Sequence, residues 1–584
     1  MNWFARQWRN RRGRSAVLRT GTAEVEIEPD EIFLDSSNLP SLDPAQLEGR
    51  VERPVSRFGI VTAGVLFVLV VGIFGFRAYD LEVVEGAQYA AAAANNSLSR
   101  SLIFAQRGVI YDTNGVELAW NEPAQGTSTP YASRRYTSLP GLGLLLGYVR
   151  YPQQDASGNW WSTALSGVAG AEKLFDGALS GTNGSEILEK DALGNVTRQH
   201  IVEPPVDGAD VTLSIDAKMQ SKLFQILSQH AQDNGFEGGA AVIMDVRTGK
   251  IVAITSFPEY APQAMTDGDA AAIASYNADP ESPFLFRAVA GAYTPGSIVK
   301  PFIATGALTE GVITPTTQIY SDGSISVDNP YDPTHPYVYH DWRYQGWMDV
   351  RHGIAYSSDV FFYEIGGGYK DQPGMGIDNI NKYLHMFGFG STTGSIFPNE
   401  LAGTLSSPAW KAANFDGQPW RLGDTYISSI GQYGTQVTPL QAVRAVAALA
   451  NGGTLLTPQI TKDAPIQSSH LDIPPQNMEI AREGMRLSVT DPRGAAASMN
   501  NPWVQVAGKT GTAQLGLHNE WMNAWAVGFW PYDHPRYAFA VVLEHAPAGT
   551  LSGAAPAMYP FFQWLAATEP QYVGEASSTE EVAD

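Results

Sequence analysis

The chain has 584 residues, 44% of them hydrophobic, so it can form two or three folded units with large cores. Asp and Glu number 59 against 37 Lys and Arg, and the net charge of −22 argues against nucleic acid as a partner. There is no cysteine, which excludes disulfides, thiolate metal sites and a cysteine nucleophile.

Residues 1–57 have a basic start and an acidic continuation. The arginines lie between Arg6 and Arg19, and the acidic residues that follow lie between Glu24 and Asp35. Because several prolines interrupt the same stretch, the pattern predicts a mostly disordered tail. A small folded N-terminal domain is the alternative.

Residues 58–77 are predicted to form a transmembrane helix. Phe58–Phe76 carries no charge and, at roughly nineteen residues, is long enough to cross a bilayer. The arginines upstream predict a cytoplasmic N-terminus and export of everything after Arg77. We therefore expect the protein to lie in the cell membrane and to cross it once. A cleaved signal peptide and a buried soluble helix are the alternatives.

Residues 78–213 are rich in glycine turns and carry no concentrated chemistry. Gln106–Asn121 has the pattern of a β-hairpin with an Asn-Gly turn. Gly170–Asp176 is predicted to be helical, and Asp191–Asn195 to turn a second hairpin. We expect a β-rich domain that acts as a pedestal.

Residues 214–568 alternate between strand and helix patterns. A strand at Val211–Asp216 leads into a helix that runs through His230, and a hairpin turns at Arg247–Gly249. Helices are predicted at 375–387, 438–451 and 554–567, and strands at 509–514, 524–529 and 537–544. The order predicts an α+β domain in which helices cover an antiparallel sheet. Residues 569–584 are expected to be a disordered C-terminal tail.

Ser297 and Lys300 are the first candidate catalytic pair. Pro295 and Gly296 predict a turn, and the apolar run that follows predicts a helix starting near Ser297. Residues three apart share a helix face, so the Lys300 amine is expected beside the Ser297 hydroxyl. A lysine whose charged form is disfavoured can serve as the base that activates a serine.

A loose cluster of His335, His340, Asp341 and His352 precedes the second motif. The spacing fits no compact zinc motif, and no cysteine can complete a site. We interpret these as solvated loop residues, and we expect neither a metal nor a cofactor. No phosphate-binding or dinucleotide-binding glycine motif is present.

Two further motifs follow the first in a diagnostic order. Ser357, Ser358 and Asp359 precede an aromatic run, and Lys509, Thr510, Gly511 and Thr512 form the third cluster. Gly511 is expected to let a ligand approach the backbone closely. The order S-x-x-K, S-x-D, K-T-G is the signature of penicillin-recognising serine acyl enzymes.

The motifs and the membrane-anchored layout together resemble the class B penicillin-binding proteins, from about residue 58 to residue 565. Arg107–Gly115, Gly170–Glu172, Ser429–Gln432 and Trp525–Phe529 are similar to further signatures of that family. The Ser357–Gly366 segment is most similar to the elongation-type enzyme, penicillin-binding protein 2, and a division-type enzyme is the alternative. Tyr433 departs from the pattern, because the family commonly has glycine there.

The resemblance implies D,D-transpeptidation, the cross-linking of peptidoglycan stem peptides through an acyl-enzyme that β-lactams mimic. Ser297 would be the nucleophile, Lys300 its base, and Asp359 would hold Lys300 and Ser357. Ser357 and Lys509 would relay the proton to the leaving amine. Thr510 and Thr512 would bind the substrate carboxylate beside Gly511, and the backbone N–H groups of Ser297 and Thr512 would form the oxyanion hole.

The resemblance also implies a partner, a polytopic glycosyltransferase of the shape, elongation, division and sporulation family. Three other functions remain open. A β-lactamase would hydrolyse the acyl-enzyme quickly, a β-lactam sensor would bind without cross-linking, and a scaffold would have lost activity.

Overall fold

The computed structural model describes residues 56–90, 98–123, 129–190, 195–329 and 332–574. The chain divides into two units, Met1–Asn96 and Ser97–Asp584. The predicted tail at 1–57 lies outside the described residues except for its last two positions.

The first unit contains the helix Arg57–Tyr79, which continues into a π-helical turn at Asp80–Val84. The Ser56 hydroxyl caps its start by accepting a 3.0 Å hydrogen bond from the Gly59 amide. None of its residues is buried, and its apolar side chains point outward on all sides. Within the described residues it is the one helix long and apolar enough to cross a membrane, as predicted.

The second unit begins with two small sheets. In the first, Gly184–Lys190 pairs antiparallel with Leu98–Ile103 on one side and Val196–Glu203 on the other. The second has the order 211–212, 110–111, 117–122, 133–136, with one parallel pair between 211–212 and 110–111. Both predicted hairpins are therefore confirmed, although the turn at 191–194 is outside the described residues.

A buried ionic cluster holds this region together. Glu172, in the helix Gly170–Leu174, accepts hydrogen bonds from Arg107 Nε at 2.6 Å and Arg134 Nε at 2.7 Å. All three side chains are inaccessible to solvent, and Arg107 also pairs with Asp176. Loss of Glu172 would leave the buried charge of Arg134 uncompensated, which typically costs about 3–5 kcal/mol.

The larger part of the second unit is built on a five-stranded antiparallel sheet. Its order is Ile251–Phe257, Gly238–Asp245, Tyr537–Pro547, Trp521–Trp530, Ala507–Leu515. Successive residues of the central strands alternate between two cores. Ala241 and Ile243 face the helices Ala217–Asn234 and Ala555–Thr568, whereas Ala240, Val242 and Met244 face the core that contains the helix Pro439–Ala450. The predicted antiparallel sheet covered by helices is confirmed.

Short elements complete the described structure. The remaining helices are Gly143–Leu146, Asp176–Leu179, Pro262–Asp267, Ala270–Ala278, Arg287–Ala290, Lys300–Thr309, Val350–Ala355, Asp359–Gly367, Gly376–Met386, Pro408–Asn414, Leu422–Ser429, Pro439–Ala450 and Pro475–Thr490. The remaining strands are Val149–Arg150, Gln153–Gln154, Trp160–Ser162, Ser166–Gly167, Ile319–Ser321, Ser324–Val327, Tyr337–His340, Gly346–Met348, Thr454–Leu456 and Ser468–His470.

The C-terminal prediction was wrong at its start. Glu569 is buried and Pro570–Tyr572 forms a 3₁₀ turn instead of a disordered tail. The Tyr572 hydroxyl donates to Asp216 at 2.8 Å, and its carbonyl accepts from the Trp530 indole at 2.9 Å. These contacts offset the entropy cost of ordering the segment. Residues 575–584 lie outside the described residues.

Candidate active site

The first motif forms a tight turn at the head of a helix. Gly296–Val299 is a 3₁₀ turn, and the α-helix Lys300–Thr309 continues from it. The sequence predicted a helix that starts near Ser297. In the structure the α-helix starts at Lys300, and Ser297 lies in the 3₁₀ turn that precedes it. The turn is held by the Gly296 amide, which donates to the Gly431 carbonyl at 3.0 Å.

Two glycines let this turn pack directly on the strand Ala507–Leu515. A Cβ on Gly296 would lie 2.7 Å from the Thr512 carbonyl oxygen, and a Cβ on Gly511 would lie 2.6 Å from the Pro295 carbonyl oxygen. Gly511 lines the cleft, as expected for a substrate-binding residue. Its missing side chain, however, makes room for the turn that carries Ser297. This contact is a second reason for glycine at the position, and the close approach of a ligand to its backbone stays a prediction.

Lys300 points toward the second motif. Its amine lies 2.7 Å from Asp359 Oδ1, 2.8 Å from the Ser357 carbonyl oxygen and 3.4 Å from Ser357 Oγ. Among the described residues no group hydrogen-bonds Ser297 Oγ, so the expected Ser297–Lys300 contact is not formed. The Asp359 carboxylate explains this orientation, because a charge-assisted hydrogen bond is stronger than one to a neutral hydroxyl.

Lys509 approaches Ser357 from the neighbouring strand. Its amine lies 2.8 Å from Ser357 Oγ and 2.8 Å from the Thr510 carbonyl oxygen, and its side chain is fully buried. Burial, together with the nearby positive charge of Lys300, lowers the pKa of Lys509 well below the ordinary lysine value. The site therefore favours a neutral amine at Lys509 next to an ion pair between Lys300 and Asp359.

Ser357 has a strained backbone. Its φ of +56° lies in the left-handed region, which residues other than glycine rarely occupy. The conformation directs both its carbonyl oxygen and its hydroxyl to the Lys300 amine. Strain of this kind persists only where the surroundings enforce it, and such residues cluster at functional sites.

Asp341 is the main correction to the sequence interpretation. It is buried, not solvated, and its carboxylate accepts hydrogen bonds from the Ser358 hydroxyl and from the Asp359 amide at 3.1 Å. The carboxylate thus binds the N-terminus of the helix Asp359–Gly367, where negative charge is favourable. No sequence pattern marks this role, because Asp341 lies 17 residues before Ser358 in an irregular loop.

The neighbouring histidines do not join Asp341 in a metal site. His335 pairs with Asp332 at 2.8 Å and His352 with Asp349 at 2.6 Å. In the part of the chain that the structure describes, no three or more potential ligands are grouped as a metal would require.

The three motifs line one open cleft of about 950 Å³. Ser297, Ser357, Asp359, Thr510, Gly511 and Thr512 all contribute to its wall, and Lys300 and Lys509 lie beneath it. The structure therefore brings together every residue predicted for the site. Within the described residues, however, Asp359 hydrogen-bonds Lys300 and not Ser357.

Comparison with known families agrees with this geometry. Residues 239–563, more than half of the chain, match the penicillin binding protein transpeptidase domain. The chain belongs to this family. Residues 125–213 match the penicillin-binding protein dimerisation domain, which covers much of the predicted pedestal.

Relatives of this penicillin-binding protein match over most of their length. Peptidoglycan D,D-transpeptidase MrdA of Escherichia coli K12 is 28% identical over 608 aligned residues, covering 85% of this chain and 92% of MrdA. The structure of Pseudomonas aeruginosa PBP2 in complex with WCK 5153 is 27% identical with a TM-score of 0.65, covering 83% of this chain and 100% of that one. These matches confirm the resemblance to an elongation-type class B enzyme.

A third match comes from a multi-protein assembly. A chain of a peptidoglycan synthase complex described as coordinating polymerization and crosslinking is 26% identical, with a TM-score of 0.66. The match covers 90% of this chain and 100% of that chain.

Tyr433 shows how this penicillin-binding protein accommodates its departure from the family pattern. Its φ is +63°, so the backbone keeps a conformation suited to glycine. The ring packs against Trp410, Phe415 and Trp420, with centroid distances of 5.4–6.0 Å. Tyr433 itself lines the cleft, two residues from Gly431, whose carbonyl oxygen holds the Ser297 turn.

Proposed function

We propose that the chain is a peptidoglycan D,D-transpeptidase that cross-links stem peptides in elongation-type cell-wall synthesis. The observation that carries the proposal is the convergence of Lys300 and Lys509 on Ser357 Oγ, in a cleft that also exposes Ser297. The names of its relatives support the same reaction.

The reaction consists of two acyl transfers. Ser297 Oγ attacks the carbonyl carbon of the penultimate D-alanine, its proton passes to the lysine network, and terminal D-alanine leaves as an amine that takes up a proton. The amine of a neighbouring stem peptide then attacks the ester, and Ser297 regains its proton. No other co-reactant is needed.

Each motif residue has a distinct task in this mechanism. Lys300 is the proposed base for Ser297. Asp359 orients it, and it can accept the Ser297 proton once its own proton has passed through Ser357 Oγ to the neutral amine of Lys509. Ser357 Oγ contacts both amines, so it can pass a proton between Lys300 and Lys509 and on to the leaving group. The Asp359 carboxylate balances the charge of one lysine only, that of Lys300, which agrees with the lowered pKa of Lys509.

The cleft also contains the groups needed to bind the substrate. In the proposed mechanism Thr510 and Thr512 hold the terminal carboxylate, and the backbone N–H groups of Ser297 and Thr512 stabilise the oxyanion. The close packing of Gly296 on Thr512 supports this second assignment. β-Lactams are expected to acylate the same serine, because they present a strained amide to the same groups.

Labelling with penicillin tests the proposal. Mass spectrometry of the full-length protein should show a stable adduct on the peptide that contains Ser297, and Ser297→Ala should abolish it. An adduct on another serine would refute the assignment of the nucleophile. Rapid loss of the adduct by hydrolysis would favour a β-lactamase.

The apolar helix is consistent with a membrane anchor, and the charges beside it suggest its orientation. We propose a single crossing, with the N-terminus in the cytoplasm and residues after Arg77 outside, because the arginines precede the helix. Residues 78–213 would form the pedestal and 214–568 the transpeptidase domain. Protease added to spheroplasts should digest the C-terminal region and spare the tail, and the reverse pattern would contradict this.

The proposed partner is a polytopic glycosyltransferase of the shape, elongation, division and sporulation family, recruited by the membrane helix and pedestal. The similar chain from a peptidoglycan synthase complex supports this. The edge strand Val196–Glu203 is exposed along its whole length, including Ile201 and Val202. In the full-length protein, replacing both by Asp should reduce co-purification of the glycosyltransferase, whereas Ser297→Ala should not. Equal recovery from both variants would contradict recruitment through this strand.

A further inference from the structure

A small sheet carries large aromatic side chains on its solvent face. In the pair Ile319–Ser321 and Gly346–Met348, Tyr320 lies directly opposite Trp347. Ile319 and Met348 point inward and are buried, so Tyr320 and Trp347 share the outer face. Their ring centroids are 5.1 Å apart. The outer face of such a pair is usually polar.

Two more aromatic residues connect this face to the cleft. The Tyr344 hydroxyl lies 2.7 Å from that of Tyr320. Trp342 lines the cleft, and its indole N–H donates to the Ser357 carbonyl oxygen at 3.2 Å. We call Tyr320, Trp342, Tyr344 and Trp347 the aromatic patch; their exposed fractions are 43%, 54%, 62% and 69%. Contiguous exposed apolar groups of this kind mark binding sites.

We propose that the aromatic patch binds the glycan backbone of the peptidoglycan strand whose stem peptide enters the cleft. The inference rests on the proposed transpeptidase function. In such a substrate the peptide is attached to a glycan, so sugar rings lie just outside the cleft when the peptide occupies it. Trp342 lines the cleft, and Tyr344, two residues further along the chain, contacts Tyr320 on the sheet face, so the patch continues from the cleft wall to that face.

The chemistry of the patch fits a saccharide. One face of a pyranose ring presents C–H groups that pack on the face of an aromatic ring, while its hydroxyls point outward and form hydrogen bonds. The hydroxyls of Tyr320 and Tyr344 and the guanidinium of Arg343, which lies 4.2 Å from the Trp342 ring centre, supply polar partners around the rings. Aromatic side chains have few rotatable bonds, so they lose little entropy on binding.

The test uses the full-length protein and glycan strands freed of their peptides. Binding is followed by calorimetry, and Trp347→Ala combined with Tyr344→Ala should weaken it by roughly tenfold or more, as truncation of aromatic residues that a ligand covers does at binding interfaces. The matched control is Trp161→Ala, which removes a tryptophan of similar exposure, 65%, from the pedestal. Equal binding by the two variants, or no binding by the wild type, would overturn the proposal.

A second measurement separates this inference from the transpeptidase assignment. The ratio of turnover of a glycan-linked donor to that of a glycan-free donor should fall roughly tenfold in the Trp347/Tyr344 variant, mainly through KM. A ratio equal to that of the wild type would contradict the proposal. Loss of a co-purifying protein with unchanged glycan binding would show that the patch binds a protein instead. Failure of the wild type to acylate at Ser297 would refute the transpeptidase function itself.

Discussion

Replacing Gly511 by alanine should slow acylation of Ser297 by displacing the turn that carries it. The new Cβ would lie 2.6 Å from the Pro295 carbonyl oxygen and 2.9 Å from Ile298 Cγ2. A normal carbon–oxygen contact is about 3.3 Å or longer, so the turn must move by roughly 0.7 Å. Because a misplacement of about 1 Å can cost on the order of 100-fold in rate, we expect acylation to slow by roughly 25-fold.

The assay is the rate of labelling by a fluorescent penicillin, measured over a range of concentrations. A displaced nucleophile lowers the rate at saturation, whereas a methyl group that merely obstructs the ligand raises the concentration needed for half-saturation. The matched control is Gly508→Ala on the same strand. Its Cβ would lie nearest the flexible end of the Met499 side chain, and none of its three nearest atoms belongs to the Ser297 turn.

Overpacking is expected to destabilise both variants by about 1–3 kcal/mol, so their melting temperatures should fall similarly. Only the Gly511 variant should lose the saturating rate. If folded Gly511→Ala protein acylates at the wild-type rate, or if only half-saturation changes, the turn is not positioned by this contact.

Three other predictions concern charge and backbone strain. Asp359→Asn removes the negative charge 2.7 Å from the Lys300 amine, so deprotonation becomes easier and the rising limb of acylation against pH should move to lower pH; superimposable profiles would contradict this. Burial raises the pKa of Glu259 from 4.5 to about 7. Between these two pH values the folded protein keeps the proton that the unfolded chain loses, so up to about 3 kcal/mol of the free energy of unfolding is lost as the pH rises from 4.5 to about 7. Melting curves of Glu259→Gln should lack this loss, and parallel pH dependence would refute it. Tyr433→Gly relieves a left-handed φ but loses the aromatic packing, so it should melt below Tyr433→Phe, which keeps the ring; the reverse order would mean that strain outweighs packing.

Local sequence patterns determined the elements of this protein. The length of the uncharged apolar run predicted the helix Arg57–Tyr79. The hairpins and central strands were predicted from strand-like apolar patterns and from the turn residues between them. The order of the three motifs predicted which residues share the cleft, because that order is the signature of serine acyl enzymes. The C-terminal segment was mispredicted because its order depends on Asp216 and Trp530, which are distant in sequence.

The tertiary structure decided which of these residues contact one another. Sequence spacing placed Lys300 beside Ser297, but a carboxylate from another helix attracts its amine more strongly than a neutral hydroxyl does. Asp341 looked like a loop residue, and only the fold shows that it binds the N-terminus of the Asp359 helix. The role of Gly511 likewise depends on the turn that packs against it. Contacts between distant segments depend on how the elements pack, and a local pattern contains no information about that packing.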